Sequence, residues 1–243
     1  MRTNRYKGFL FILIATVFMI ISGCASSEKR DIKKEADAHY QLALSHLQSA
    51  RVQDAFVELQ KTIRIDPKNK RAYYLLGLIY RRFNDNRAAE DALLKALALD
   101  PDYSEAHNAL GVVLTAQRRW DEAVKEFKLA LKNPLYLNPE KPYYNMGNVY
   151  YRQGRYKDAL RAYKSAITRR PDFHLPYYGI ALSYNMLKRY GDAADALEKA
   201  IKLDPNLRGN KQKAEEFFKE MKLRATDPDV EQDYSDLLDI LYY

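Results

Sequence analysis

Cys24 is the only cysteine among 243 residues, and the apolar run Phe9 to Ile21, FLFILIATVFMII, leads almost directly into it. A lone thiol cannot close a disulfide within the chain or supply a multi-cysteine metal site. The four histidines, His39, His46, His107 and His174, form no H-E-x-x-H pair, and no glycine phosphate cradle or nucleophile elbow accompanies them. No catalytic residue, metal ligand or cofactor is expected. What recurs instead is recognition chemistry: 20 tyrosines, several at a fixed spacing, with arginines close by. Tyrosine and arginine dominate interface hot spots because each combines a broad contact surface with a polar tip.

The apolar run covers roughly 20 Å as a helix, well short of a hydrocarbon core about 30 Å thick. Arg2, Arg5 and Lys7 precede it and small residues follow, the layout of a secretory signal peptide over residues 1–23. Ile21-Ser22-Gly23-Cys24 resembles the lipobox of bacterial lipoproteins. That resemblance implies that Cys24 becomes the first mature residue, acylated on its sulfur and its amine, with several acyl chains as a firm membrane anchor. Ala25 and Ser26, with no Asp, imply sorting to the outer membrane. An uncleaved anchor and a buried structural cysteine are the alternatives for the same residues.

The formal charge is +8, and loss of Arg2, Arg5 and Lys7 with the leader leaves +5. Forty basic residues interleaved with 32 acidic ones make a mixed solvated surface, with no contiguous basic stripe of the kind nucleic acid requires. Nucleic acid is therefore not an expected partner. Residues 24–35 are polar and charged after Cys24 and read as a lipidated tether.

The elements that must position the tyrosines follow from a repeat. Pro67 and Pro101, Gly77 and Gly111, and Ala89 and Ala123 are each 34 residues apart, a tetratricopeptide period. Residues 70–103 carry Tyr73, Leu76, Gly77, Tyr80, Ala89, Leu93, Ala96 and Pro101, and residues 140–173 carry Tyr143, Met146, Gly147, Tyr150, Ala159, Tyr163, Ala166 and Pro171. Copies at 36–69, 104–139 and 174–207 match less fully, the middle one lengthened by NPLYLNP. Apolar residues at helical spacing make each copy a pair of amphipathic helices. Gly77 with Ala89, and Gly147 with Ala159, allow the two helices to approach closely, and Asp-Pro at 66–67, 100–101 and 204–205 ends a copy. The expected fold is all-α, a right-handed tetratricopeptide-repeat solenoid whose first helices line a concave surface. Residues 208–243 read as capping helices or a degenerate sixth repeat, ending in an acidic helix with Val230, Tyr234, Leu237, Leu238 and Leu241 at helical spacing.

In this register the fifth positions are Tyr40, Tyr74, Asn108, Tyr144 and Tyr178, and the ninth are Leu44, Leu78, Val112, Asn148 and Leu182. The twelfth and thirteenth add Arg81, Arg82, Tyr151, Arg152 and Asn185. This floor suits a partner helix or extended peptide with apolar anchors; the alternative is that some of these tyrosines pack between helices. The Lys/Asn clamp for a terminal carboxylate is not reproduced. His39 and His107, at fourth positions, and His46, at an eleventh, read as helix-packing residues, and His174 lies beside a turn.

Lipobox, tether, five copies with an elongated third and a helical cap together resemble the type IV pilus pilotins, the PilF/PilW/Tgl lipoproteins. The resemblance implies a non-catalytic outer-membrane lipoprotein, lipid-anchored facing the periplasm, that helps the pilus secretin localise and multimerise. Two other readings fit the same residues: a subunit of the outer-membrane β-barrel assembly machinery, and an adaptor for peptidoglycan enzymes of the envelope.

Overall fold

In the computed structural model, residues 32–243 are described, and among them there are twelve helices and no strand. They divide into two compact units, one ending at Asp100 and one spanning Pro101–Tyr243. The first contains α1 (32–48), α2 (Val52–Ile65), α3 (Lys70–Arg82) and α4 (Asn86–Leu99). The second contains α5 (Ser104–Ala116), α6 (Trp120–Ala130), α7 (Glu140–Arg152), α8 (Tyr156–Arg169), α9 (Leu175–Met186), α10 (Tyr190–Leu203), α11 (Lys211–Arg224) and α12 (Pro228–Ile240). Cys24 and the leader lie outside the described residues. Residues 32–35, expected in the tether, are already helical; Lys33, Lys34 and Glu35 are good helix formers that extend the amphipathic helix behind them.

Each helical hairpin turns in the same way. Ala50, Asn84, Arg118, Gly154 and Lys188 sit at the equivalent point after the first helix of a copy, all with φ between 56° and 71°. In the second copy Asn84 N–H donates to the Arg81 carbonyl and Asp85 N–H to that of Tyr80; Arg118 with Arg119, and Lys188 with Arg189, repeat the pattern. This pair of bonds satisfies carbonyls that the helix end would leave open, which is why left-handed backbone is tolerated where only Gly154 adopts it without steric cost.

In the three middle hairpins a large residue of the second helix packs onto a glycine of the first. A Cβ on Gly77 would lie 2.6 Å from Leu93, and one on Gly111 would lie 2.5 Å from Phe127. Leu93, Phe127 and Tyr163 are fully buried at the corresponding places on the second helices. In the first unit Leu59, Leu76 and Ile79 complete the cluster around Tyr40. In the second, Ile180, Leu197 and Ile201 join Phe218 of α11 and Leu237, Ile240 and Leu241 at the end of α12.

Candidate partner-binding site

The candidate residues fall into two sets, one in each unit. In the first, Arg81 and Arg82 are exposed and Leu44, Tyr74 and Leu78 half-buried. Tyr40 is buried, with the Arg71 guanidinium 4.8 Å over its ring, and burial raises its phenol pKa. Tyr40 thus packs within the unit.

In the second unit the candidate side chains are engaged by the chain itself. Asn108 accepts a hydrogen bond from Asn145 Nδ2 at 3.0 Å, and Val112 is half-buried on the same helix. Tyr144 packs edge-on against Phe173, and Asn148 accepts the Tyr163 hydroxyl at 2.8 Å. Tyr178 donates to Asp204 Oδ2 at 3.0 Å and stands perpendicular to Phe218. Leu182 is buried in the core, and Asn185 accepts the Tyr243 hydroxyl at 3.0 Å. Arg152 makes a two-pronged pair with Asp233, its Nη1 2.9 Å from Oδ1, and Nη1 also reaches the Asp229 carbonyl. Tyr151 lies beside the same carboxylate; burial first, then Asp233 and Asp236, pushes its phenol far above the ordinary range.

The covering element is α12. Its N-cap, Asp227, accepts from Asp229 N–H, and Pro228 occupies the first turn, so the helix starts where a proline-tolerant, capped terminus is available. Asp229 meets Arg118 at 3.3 Å, beyond the end of α5, and Asp233 meets Arg152 at the end of α7. The end of the chain reaches Asn185 at the end of α9. A cavity of about 590 Å³ remains beneath α12, lined by Trp120, Tyr144, Tyr178, Leu182, Val230 and Tyr234 among others. Burial raises the Asp233 pKa against the opposing pull of Arg152.

The helix periodicity made α12 legible, but Arg118, Asp229 and Asp233 were not among the candidates because Arg118 pairs with Asp229 111 positions on and Asp233 with Arg152 81 positions back. A second omission had a readable signal. His39 bonds Glu58 and His107 bonds Glu126, each 19 residues on, from the first helix of a copy to the second. These histidines, expected as packing residues, are polar ties between helices. His107 Nδ1 lies 2.7 Å from Glu126 and Nε2 2.8 Å from the Pro101 carbonyl. Burial alone would lower its pKa, but Glu126 and the Pro101 carbonyl, with Asp102 behind them, outweigh it and hold the imidazole above its usual value. Both folded-state acceptors favour the protonated ring, so its contribution is full below about pH 6.5 and is lost as pH rises through the raised value. The melting temperature of the native chain is expected to fall over that interval, and His107→Gln should flatten the fall; an unchanged slope would refute the assignment.

Among the described residues, no three His, Cys, Asp or Glu side chains are placed to hold a metal ion, and no helix is long and apolar enough to cross a membrane. The tetratricopeptide repeat model matches residues 74–136 and 144–208. The type IV pilus assembly protein PilF of Pseudomonas aeruginosa is 29% identical over 145 residues, covering 56% of this chain and 58% of PilF, so the chain spans little more than half of that relative's length. The crystal structure of PilW, titled a widely conserved type IV pilus biogenesis factor, aligns with a TM-score of 0.69 at 22% identity, over 84% of this chain and 90% of PilW. The solved structure of P. aeruginosa PilF aligns with a TM-score of 0.68 at 22% identity, over 87% and 94% of the two chains. Such repeats are a generally non-catalytic scaffold for binding other proteins. With the 34-residue copies, the paired helices and the glycine-to-large-residue contacts in place, this chain belongs to the tetratricopeptide repeat family and is homologous to the pilus protein PilF.

Proposed function

We propose that the chain is a non-catalytic pilotin, a lipoprotein of the outer membrane that holds the type IV pilus secretin through its repeats while acyl groups on Cys24 supply the membrane attachment. The observation that carries this reading is the homology to PilF over 145 residues. The lipobox-like Ile21-Ser22-Gly23-Cys24 supports the anchor. Exposed Arg81 and Arg82 beside half-buried Tyr74 and Leu78 support a binding face, since partly exposed Tyr and Arg are what interface anchors are made of.

The test separates anchor from grip. Palmitate is expected to label the native chain but not Cys24→Ala, and secretin multimers should be lost from the outer membrane of that variant although the repeats remain folded. In a pull-down with purified secretin, Leu78→Ala and Arg81→Ala should each weaken binding by about thirtyfold, equivalent to about 2 kcal/mol. Lys125→Ala and Lys157→Ala, on second helices, should leave it unchanged. Tyr144 and Asn148 are poor probes because their packing against Phe173 and bonding to Tyr163 would also affect folding. Native-like binding by the Leu78 and Arg81 variants with loss in the lysine variants would move the partner to the other face and refute the reading.

A further inference from the structure

α12 is fastened unequally along its length. Leu237, Ile240 and Leu241 are buried in the core, whereas no residue from Asp227 to Asp236 is buried. That first stretch is held by Asp229 on Arg118, by Asp233 on Arg152 and by a hydrogen bond from Lys222 Nζ to Ser235 Oγ at 3.1 Å, with Tyr234 resting against Phe217 and Phe218. The Arg118 and Asp229 side chains are 65% and 50% exposed, a setting in which an ion pair contributes little. Beneath it lies the cavity of about 590 Å³, which Val230 is too small to fill. Residues 227–243 carry six carboxylates and no basic side chain, so the covering element is complementary in sign to the arginines it meets.

We propose that the concave face of the second unit is a receptor for an acidic amphipathic helix of a partner protein, and that the first half of α12 occupies it as a displaceable internal stand-in. The internal occupant defines the ligand's chemistry: two carboxylates four residues apart for Arg118 and Arg152, and between them an apolar side chain larger than valine to enter the cavity. This deepens the pilotin reading and rests on it for the partner's identity. Occupation by α12 lowers apparent affinity by the fraction of molecules in which the stretch is docked, so weakening its two ion pairs raises affinity without changing the receptor.

The sole tryptophan, Trp120, lines the cavity together with Asp229 and Val230 and reports the state of the stretch. The probe is a synthetic peptide of residues 226–243 carrying Val230→Phe, which contains no tryptophan. Titrated into the full chain, it is expected to bind Asp229→Asn/Asp233→Asn at least tenfold more tightly than the native protein, with a shift in Trp120 emission. Asp229→Asn alone, changed at a half-exposed side chain of the covering stretch, should give the same direction if the double variant folds poorly. Arg152→Glu added to either opened variant should weaken the probe at least tenfold. Equal affinity for native and opened chains, or binding indifferent to Arg152→Glu, overturns the proposal. The pull-down separates the two readings. If Leu78→Ala loses secretin while opened and native chains bind the peptide equally, the pilotin reading stands and the stand-in falls. If the native chain captures no secretin while the peptide prefers the opened chain, the receptor stands and the pilotin reading falls.

Discussion

Replacing Gly147 with leucine is expected to destabilise the second unit by about 3 kcal/mol or more, at the top of the usual range for overpacking. The fully buried Tyr163 ring lies between two glycines, and a Cβ on either Gly147 or Gly179 would fall onto ring atoms. The ring cannot turn away, because its hydroxyl is tied to Asn148 and Tyr144 packs beside it. For a unit of this size each kcal/mol lowers the melting temperature by about 2–4 °C, so a drop near 10 °C should be seen by circular dichroism. Gly77→Leu, against the more flexible Leu93, should act in the same direction in the first unit with a smaller effect. Gly191, with nothing near its Cβ position, provides the control: Gly191→Ala should be neutral or stabilising by up to about 1 kcal/mol through helix propensity. A native melting curve for Gly147→Leu would show that the helix contact is wrongly placed.

Phe218→Ala is expected to cost about 3–5 kcal/mol, the range for deleting a buried aromatic. The ring is 1% exposed and packs with Tyr178, Phe217 and Tyr234 at centroid distances of 5.9 to 6.3 Å. It is also one of only two buried residues of α11, the other being Ala214, so little else holds that helix. The loss should therefore be local before it is global. Hydrogen exchange is expected to accelerate across residues 211–240 while α7 and α8 keep their protection. Retained protection in α11 and α12 would refute the assignment of Phe218 as their anchor.

The order of helices in this chain is a local property, and residues 70–103 and 140–173 display it almost in full. Small residues at fixed spacing, apolar residues three and four apart and Asp-Pro at the ends specify two helices and their close approach whatever the rest of the chain does. The His39–Glu58 and His107–Glu126 ties were equally local, since both span 19 residues and recur in two copies. The tyrosines of the concave face were readable as a set but not as individuals. Whether Tyr40 is buried under Arg71, or Tyr178 is spent on Asp204, depends on neighbours brought in from other helices. Amphipathic spacing likewise announced α12 as a helix and its composition as acidic. That Asp229 and Asp233 come down on Arg118 and Arg152, 111 and 81 residues away, was decided by tertiary structure alone. Where α12 packs is set by how the preceding helices of the second unit bring the ends of α5, α7 and α9 together, and no periodicity in the sequence records that juxtaposition.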